Sequence, residues 1–333
     1  MNIEERLAHY QPTPPSYLSD FLSAKERKRL DKVNRHCGRE YTSFPFFKGL
    51  SHYSRLAHSI GVSFLLSRYC NDPKVILSGL FHDIATPAFA HVIDFLLGDH
   101  RKQEATESKT GVIIQTSSGI QAGLRKFGLK TEDVSDYHLY PLADNDSPRL
   151  SADRLEYTLS NRINFNFGTL NDLDNILSDL VILKNEDGII EMGFMSKKTA
   201  SFLSQISLKN GHVYTCDEDR YGREYLAHVI RFAIKENVLS MADLYKTEPE
   251  VIDKRRNHPL TREKYRSFTR LNKVSKGKEE EPFSYKIPAK KRFIDPYVLN
   301  VGRVSSFNPE LKKERDEFKS LSFDYYLVND NSF

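Results

Sequence analysis

The chain has 333 residues, of which 39% are hydrophobic and 28% charged, a balance typical of globular proteins with one large domain or two smaller ones. No apolar run approaches the roughly 18–20 residues that span a bilayer, and the polar segment 1–15 lacks the apolar core of a secretory signal, so we expect no membrane association. The three cysteines lie far apart without a Cys-x-x-Cys pair, which excludes a disulfide framework and a zinc finger and predicts a cytoplasmic location.

Helical patterns dominate the first two thirds of the chain. Apolar residues recur at helical spacing over most of this region, and Ser151 stands where it could cap one of the helices. The predicted helical segments are 17–33, 53–70, 74–84, 89–97, 104–124, 150–159, a long stretch from 197, and 223–256.

One β-hairpin is predicted within this helical region. Two β-prone runs flank the turn-forming sequence Asn185-Glu186-Asp187-Gly188, which indicates a hairpin near 181–194. The sequence contains no internal repeat and neither a GxGxxG nor a GxxxxGK[ST] phosphate-binding loop. A nucleotide site in this chain must therefore use other residues.

The C-terminal part differs in composition. Segment 271–283 is charged and poor in apolar residues, which indicates a linker or an exposed loop. Two β-prone segments, 283–287 and 323–328, follow it and flank a predicted helix over 309–318. We therefore divide the chain into a helical domain over 1–270 and a basic linker with a small α+β tail over 271–333.

Positive charge is concentrated in one region. The net charge is +4, but segment 246–292 contains 15 Lys and Arg against 7 Asp and Glu. Such an excess attracts phosphate-bearing ligands and nucleic acids, although it is also found on solvated faces. A weak nucleic-acid interaction through 246–292 is one hypothesis. Another is that Lys290-Lys291-Arg292 and Arg303 fold over a pocket and contact phosphates; a strand edge protected by lysines is the alternative.

Titratable residues on apolar helices give the strongest functional signal. His58 lies in RLAHSIGV, His82 and Asp83 in GLFHDIATPAFAH, and Asp153 in SADRLEYTLSN. Such groups are costly to bury unless they are paired or bind a metal. Two imidazoles and two carboxylates from three helices could bind one divalent ion, for which Mn, Mg, Fe, Zn, Co and Ni are candidates. Hydrogen-bonded core residues are the alternative interpretation.

The order of these residues resembles that in the HD-domain metal-dependent phosphohydrolases. The flanking sequences YSRLAHSIGV, GLFHDIATPAFAHVIDF and SADRLEYTLSN are similar to the deoxynucleoside-triphosphate triphosphohydrolase branch, and the resemblance covers about 36–161. Together with the patterns above, it predicts a mainly α fold, an HD-domain helical bundle with a small β-hairpin insertion and a small α+β C-terminal tail. It also implies a homo-oligomer.

The resemblance implies roles for individual residues. The residues that match its metal ligands are His58, His82, Asp83 and Asp153. The residues that match its substrate-binding positions are Arg55, Arg154, Tyr157 and Asn161, the last of which stands where the family often has an Asp near the sugar hydroxyl.

The proton-transfer positions depart from the family pattern. Thr86 stands where the family usually has a His, and the later His-Glu-x-x-Ser/Thr element is replaced by DHRKQEATES, in which Gln103 precedes a glutamate. A glutamine does not transfer protons, so other groups must do so in a catalytic protein. The candidate catalytic residues are His91, His100, Glu104 and Glu107.

The resemblance implies a metal-dependent phosphohydrolase that acts on a nucleotide or another small phosphorylated compound, with dNTP triphosphohydrolase as its specific form. An HD phosphomonoesterase or phosphodiesterase would share the metal site and release different products. The alternative from another class is a non-catalytic nucleotide- or nucleic-acid-binding HD module, which Gln103 favours and the presence of Arg55, Arg154 and Tyr157 disfavours.

Overall fold

Helices form most of the regular structure in the computed structural model, which describes residues 3–98 and 109–330. The mainly α prediction is confirmed, and no helix in the described ranges is long and apolar enough to cross a membrane. In chain order the helices are α1 (Ile3–Tyr10), α2 (Leu18–Leu22), α3 (Lys25–Lys28), α4 (Arg55–Tyr69), α5 (Pro73–Phe81), α6 (Val92–Leu97), α7 (Thr110–Thr116), α8 (Ser118–Lys126), α9 (Ala152–Asn164), α10 (Asn171–Asp179), α11 (Lys197–Thr215), α12 (Asp217–Lys235), α13 (Glu248–Asn257), α14 (Pro259–Thr269), α15 (Val304–Phe307) and α16 (Pro309–Ser320).

Side-chain caps explain where the helices of the central bundle begin. Ser54 before α4, Asp72 before α5 and Ser151 before α9 each accept a hydrogen bond from a backbone N–H of the first turn. Each cap satisfies a donor that would otherwise lack a partner and contributes about 1 kcal/mol. The predicted cap at Ser151 is confirmed.

Several predicted helices are shorter or more interrupted than their apolar periodicity suggests. The helix predicted over 223–256 is divided, because α12 ends at Lys235 and α13 begins at Glu248. In the described part of 104–124, Ser117 separates α7 from α8.

The helix predicted over 17–33 is wrong, because Ala24 is non-helical and separates α2 from α3 and a 3-10 turn. The segment 89–97 becomes helical only at α6, because Phe89 and Ala90 have φ angles of 63° and 47°. The Phe89 N–H donates to the buried Glu248 carboxylate at 3.2 Å, so a tertiary contact determines this conformation.

The strands belong to two small sheets. The predicted hairpin is confirmed, since the first two strands pair antiparallel from Leu180↔Phe194 to Lys184↔Ile190. The strands are β1 (Leu180–Lys184), β2 (Ile190–Phe194), β3 (Val274–Gly277), β4 (Tyr285–Lys286), β5 (Tyr297–Val298), β6 (Gly302–Arg303) and β7 (Tyr326–Asn329). One sheet has the order β1-β2-β5-β6 and the other β3-β7-β4.

The C-terminal segment 271–330 contributes to both sheets and to the core. Segment 271–283, expected as a linker or loop, contains β3, which pairs antiparallel with β7. β5 pairs with β2 of the hairpin and thereby extends the sheet β1-β2-β5-β6, although β5 follows β2 by more than 100 positions in the sequence. The predicted helix over 309–318 is observed as α16, whose Phe318 is 1% exposed.

Buried apolar side chains form two groups. The first joins α4, α5, α9 and α11 with the hairpin, and includes Leu66, Leu80 and Leu203. The second surrounds α12 and includes Leu226 and Leu327. Helix α4 packs against both α5 and α9, which fixes the relative positions of the three helices that carry the predicted metal ligands.

His36 is a buried histidine in the loop that precedes α4. It is 1% exposed, and its Nε2–H donates to the Ser51 carbonyl at 3.0 Å. Burial and the neighbouring Arg39 lower the pKa of His36 from 6.5 to about 3. The folded protein therefore holds this ring neutral at pH values at which the unfolded chain protonates it.

We expect this histidine to make the protein less stable in acid. Below the unfolded pKa of 6.5 the unfolded state binds the proton and the folded state does not. The free energy of unfolding therefore decreases as the pH is lowered from 6.5 to the folded pKa of about 3. His36→Gln, which keeps an amide donor for Ser51, should reduce the slope by up to about 1.4 kcal/mol per pH unit. Urea unfolding of both proteins between pH 7 and 4.5 measures this; parallel stability curves would contradict it.

Candidate active site

The predicted metal ligands lie at the base of one cleft. Helix α4 carries His58, and α9 carries Asp153 in its first turn. His82 and Asp83 directly follow α5. Because α4 packs between the other two helices, the structure brings all four side chains together.

The ligand atoms of these residues converge. The Nε2 atom of His58 lies 3.1 Å from the Nε2 atom of His82 and 2.9 Å from Asp153 Oδ1. Asp83 Oδ2 lies 3.5 Å from His82 Nε2. One nitrogen or oxygen atom from each of His58, His82 and Asp83 lies within 4.8 Å of the others, so these three form a possible metal site.

The hydrogen bonds on the far side of each ring decide which atoms face the cluster. His82 Nδ1 donates to the Gly79 carbonyl at 2.7 Å, and His58 Nδ1 donates to the carboxylate of Glu156. Both partners only accept, so a neutral ring at either position carries its proton on Nδ1 and its lone pair on Nε2. Burial lowers the pKa of His82, which favours its neutral form. Two imidazole nitrogens that face each other beside two carboxylates can bind one cation together, so the residues fit a divalent metal ion.

Asp83 is held as a carboxylate. Burial would raise its pKa, but Arg55, His82 and Arg35 outweigh burial and hold the pKa well below its usual range. The Nη1 atom of Arg55 lies 2.9 Å from both oxygens, and Thr86 donates to Oδ1 at 2.8 Å. Thr86, which replaces the family's histidine, thus orients a candidate metal ligand instead of offering a proton.

The cleft above the cluster has a volume of about 570 Å³ and carries an excess of positive charge. Its lining contains ten Arg and Lys but only five Asp, and no Glu, among the described residues. The basic residues are Arg35, Arg39, Arg55, Arg149, Arg154, Arg220, Arg223, Lys290, Lys291 and Arg292, and the acidic ones are Asp83, Asp144, Asp146, Asp153 and Asp219. Such a lining attracts an anionic ligand.

Residues 55–135 match the HD domain. The matched segment contains three of the four converging residues and ends before Asp153. The uncharacterized protein YdhJ of Bacillus subtilis is 29% identical to the chain over 202 residues, which are 60% of each protein. The metal-dependent phosphohydrolase cns2 of Cordyceps militaris is 27% identical over 164 residues, 49% of this chain and 45% of that protein. The chain thus spans about half of these relatives. The similarities support the HD superfamily.

The four predicted substrate-binding residues line the same cleft beside the cluster of candidate metal ligands, but each also has a protein partner. Arg55 binds Asp83 as described. Arg154 donates to the Asn145 side chain at 2.7 Å and to the Arg149 carbonyl at 2.9 Å, and thereby holds the loop before α9. Asn161 donates to Tyr214 Oη at 2.7 Å. Tyr157 lies beside this pair, with its ring centroid 6.4 Å from that of Tyr214.

Sequence reasoning missed Arg35, which lies next to the cluster. Its Nη1 is 3.4 Å from Asp83 Oδ2, and its guanidinium carbon lies 5.8 Å from the ring centroids of both Tyr53 and Tyr157. This arrangement holds a positive charge at the base of the cleft, beside the candidate metal ligand Asp83. Arg35 precedes the segment that matches the HD domain, and no motif in the sequence singled it out.

Among the predicted proton-transfer residues, His91 lines the cleft. Its Nδ1 donates to the fully buried Asp94 at 2.8 Å, and its side chain is 24% exposed. Burial, followed by the charges of Arg55 and Arg292, lowers its pKa well below the usual range, so its ring is neutral near pH 7. His100, Glu104 and Glu107 lie outside the described residues.

The segment 288–293, which we name the basic strap, forms one wall of the cleft. Lys290, Lys291 and Arg292 line the cleft, as the hypothesis of a basic segment over the pocket expected. Arg303 does not, because it binds the carboxylates of Glu186 and Glu191 on the hairpin. The basic residues of region 246–292 are distributed over the helices α13 and α14, the strands β3 and β4 with their flanking segments, and the strap.

Proposed function

We propose that the protein is a metal-dependent phosphohydrolase that acts on a nucleotide, with deoxynucleoside triphosphates as the substrate class to test first. The observation that carries the proposal is the pair of facing imidazole nitrogens at the base of a cationic cleft. The HD-domain match and the similarity to a protein named a metal-dependent phosphohydrolase support it.

The converging side chains would hold the ion. His58 and His82 would offer neutral nitrogens, while Asp83 and Asp153 would supply negative charge. A bound divalent ion acts as a Lewis acid and lowers the pKa of a bound water. Because His58 is fully buried and Asp83 is fixed by Arg55, the protein determines the direction from which a phosphate reaches the ion.

The basic residues of the cleft would bind and orient the phosphate groups. The Nη1 atoms of Arg55 and Arg35 lie 2.9 and 3.4 Å from the Asp83 carboxylate of the cluster, and the basic strap lines the same cleft. Charge-assisted hydrogen bonds from guanidinium groups to phosphate oxygens neutralise negative charge and fix the reacting phosphorus. The Nε2 atom of His91 would be available to accept a proton, because Nδ1 donates its proton to Asp94.

Metal analysis followed by product analysis tests the proposal. We expect about one divalent ion per chain, as for other single-ion hydrolytic sites, and phosphate release from a nucleotide panel with Mn, Mg, Co or Ni. Tripolyphosphate as product identifies a triphosphohydrolase, whereas orthophosphate or a nucleoside monophosphate points to a phosphomonoesterase or phosphodiesterase. Salt-sensitive binding of nucleotide or single-stranded nucleic acid without turnover would favour the binding module instead.

The basic strap should contribute to substrate affinity without affecting the metal. We expect Arg292→Ala to weaken nucleotide binding about 10- to 100-fold, since a hydrogen bond to a charged group contributes about 1.5–3 kcal/mol. Lys313→Ala, which removes a 79% exposed lysine on α16, is the control. Isothermal titration with a nucleotide measures both variants, and equal affinities would show that the strap does not contact phosphate.

A further inference from the structure

The carboxylate of Glu156 lies directly behind His58. It is fully buried, and its Oε2 accepts hydrogen bonds from His58 Nδ1 and from the Tyr53 hydroxyl. The Ser160 hydroxyl donates to the other oxygen, Oε1, at 2.7 Å, and Arg6 Nη2 lies 3.7 Å from the same atom. Both oxygens are thus occupied by protein groups, and Glu156 is not in the cleft lining.

A glycine on α4 makes room for this carboxylate. A Cβ atom on Gly61 would lie 2.8 Å from both Cγ and Oε1 of Glu156, closer than packed atoms approach. His58 and Gly61 are three residues apart on the same helix, so they face α9 together. The close approach of α4 and α9 therefore leaves Glu156 a single position, directly against the His58 ring.

The first helix contacts the same group of side chains. Arg6 and Tyr10 on α1 are fully buried. The Arg6 guanidinium carbon lies 4.7 Å from the Tyr53 ring centroid, and Tyr10 Oη lies 3.2 Å from Ser160 Oγ. Helix α1 has only eight residues, too few to be stable alone, so its order depends on this packing.

We propose that Glu156 is a positioning residue that fixes the His58 ring for metal binding, and that α1 stabilises this arrangement through Arg6. The proposal rests on the role of His58 as a metal ligand in the proposed function. A carboxylate on Nδ1 selects the tautomer with the lone pair on Nε2 and prevents rotation of the ring. The family resemblance implied roles for Asp153, Arg154 and Tyr157. It implied none for Glu156, which lies in the same helix between Asp153 and Tyr157.

Metal affinity, not activity, is the readout. Full-length protein freed of metal is titrated with Co²⁺ or Mn²⁺ against a competing chelator, and the visible absorption of bound Co²⁺ reports the ligand geometry. We expect Glu156→Leu to weaken binding about 10- to 100-fold and to change the Co²⁺ spectrum, and Glu156→Gln, which keeps an acceptor oxygen, to retain part of the affinity.

Glu191→Gln is the matched control. Glu191 is also a fully buried glutamate, and Arg303 binds it at 2.7 Å, but it does not line the cleft. We expect this substitution to affect stability and to leave Co²⁺ affinity and spectrum unchanged. A comparable loss of metal affinity in this variant would show a general effect of buried charge and overturn the positioning role.

A double-mutant cycle tests whether α1 acts through Glu156. We expect Arg6→Met to weaken metal binding about three- to tenfold, and the double variant Arg6→Met/Glu156→Gln to be no weaker than Glu156→Gln alone. Additive losses would overturn the role of α1.

Gly61→Ala is a second variant, for the case that Glu156→Leu does not fold. It shifts the Glu156 carboxylate without removing a polar group. We expect it to weaken Co²⁺ binding, because the new methyl group displaces the carboxylate. Wild-type affinity in folded Glu156 variants and in Gly61→Ala would overturn the proposal and leave the metal site standing. Failure of the wild-type protein to bind Co²⁺ or Mn²⁺ would overturn both.

Discussion

Replacing His82 or Asp83 by alanine is expected to remove bound metal and phosphate release together. His82 offers a neutral Nε2 lone pair and Asp83 a carboxylate, and both face His58 within the cluster. Since loss of a group that merely supports a ligand weakens metal binding about 10- to 100-fold, loss of a ligand should weaken it at least about 100-fold. Elemental analysis and the nucleotide assay, applied to the same preparations, measure the two effects.

The control for this prediction is a histidine–aspartate pair outside the cleft. His9 Nδ1 lies 2.7 Å from Asp174 Oδ1 at the surface, so His9→Ala removes a similar pair without touching the cluster. It should keep both metal and activity. Turnover by a His82 or Asp83 variant that contains no metal would show that the reaction does not use this site.

Replacing Arg55 by methionine is expected to destabilise the metal-free protein by about 3–5 kcal/mol, because removing one partner of a buried ion pair leaves the other charge uncompensated. Arg55 is 4% exposed, and its Nη1 contacts both oxygens of the buried Asp83. Urea unfolding in the presence of a chelator measures the loss. Added Co²⁺ or Mn²⁺ should recover part of it, since a bound cation compensates the carboxylate.

Arg35→Met is the matched comparison. Arg35 is 3.4 Å from one oxygen of Asp83 and is more exposed than Arg55. We therefore expect a smaller loss of stability and a larger loss of nucleotide affinity. The opposite order, with Arg35 essential for stability and Arg55 for nucleotide affinity, would exchange the roles that the geometry suggests for these two arginines.

The metal cluster could be predicted because its chemistry is visible in local sequence. His58, His82 and Asp83 stand out as titratable residues in otherwise apolar helices, and the cost of burying them indicates a common partner. The hairpin and the cap at Ser151 could also be predicted from local sequence. A turn sequence between β-prone runs is typical of a hairpin, and a serine before an apolar helix is typical of an N-cap.

The remaining site residues could not be predicted because distant contacts place them. Arg35 takes its position from Tyr53 and Tyr157, and the second of these is more than 100 positions away. Glu156 lies one helical turn after Asp153, but only the packing of α4 against α9 shows that it faces His58. Hydrophobic periodicity describes one helix at a time and contains no information about contacts between residues of different helices.

The strands of the C-terminal segment were difficult to predict for a different reason. β5 and β6 have only two residues each, too few to show an alternating pattern. Their pairing depends on β2, which already forms the hairpin with β1. The helix predicted over 17–33 failed because a single non-helical residue, Ala24, separates two segments that share one apolar periodicity.

The position of the basic strap has a consequence for biosynthesis. The backbone carbonyl of Arg292 comes so close to α11 that a Cβ atom on Gly211 would lie 2.6 Å from it, and Phe318 covers the same glycine. Between the end of α11 at Thr215 and Arg292 the ribosome adds about 77 residues, which takes about 4–15 s at ordinary elongation rates, and the strap cannot cover this face of α11 during that time. The wall of the cleft that the strap forms is thus completed only after the helices that position the candidate metal ligands have been synthesised.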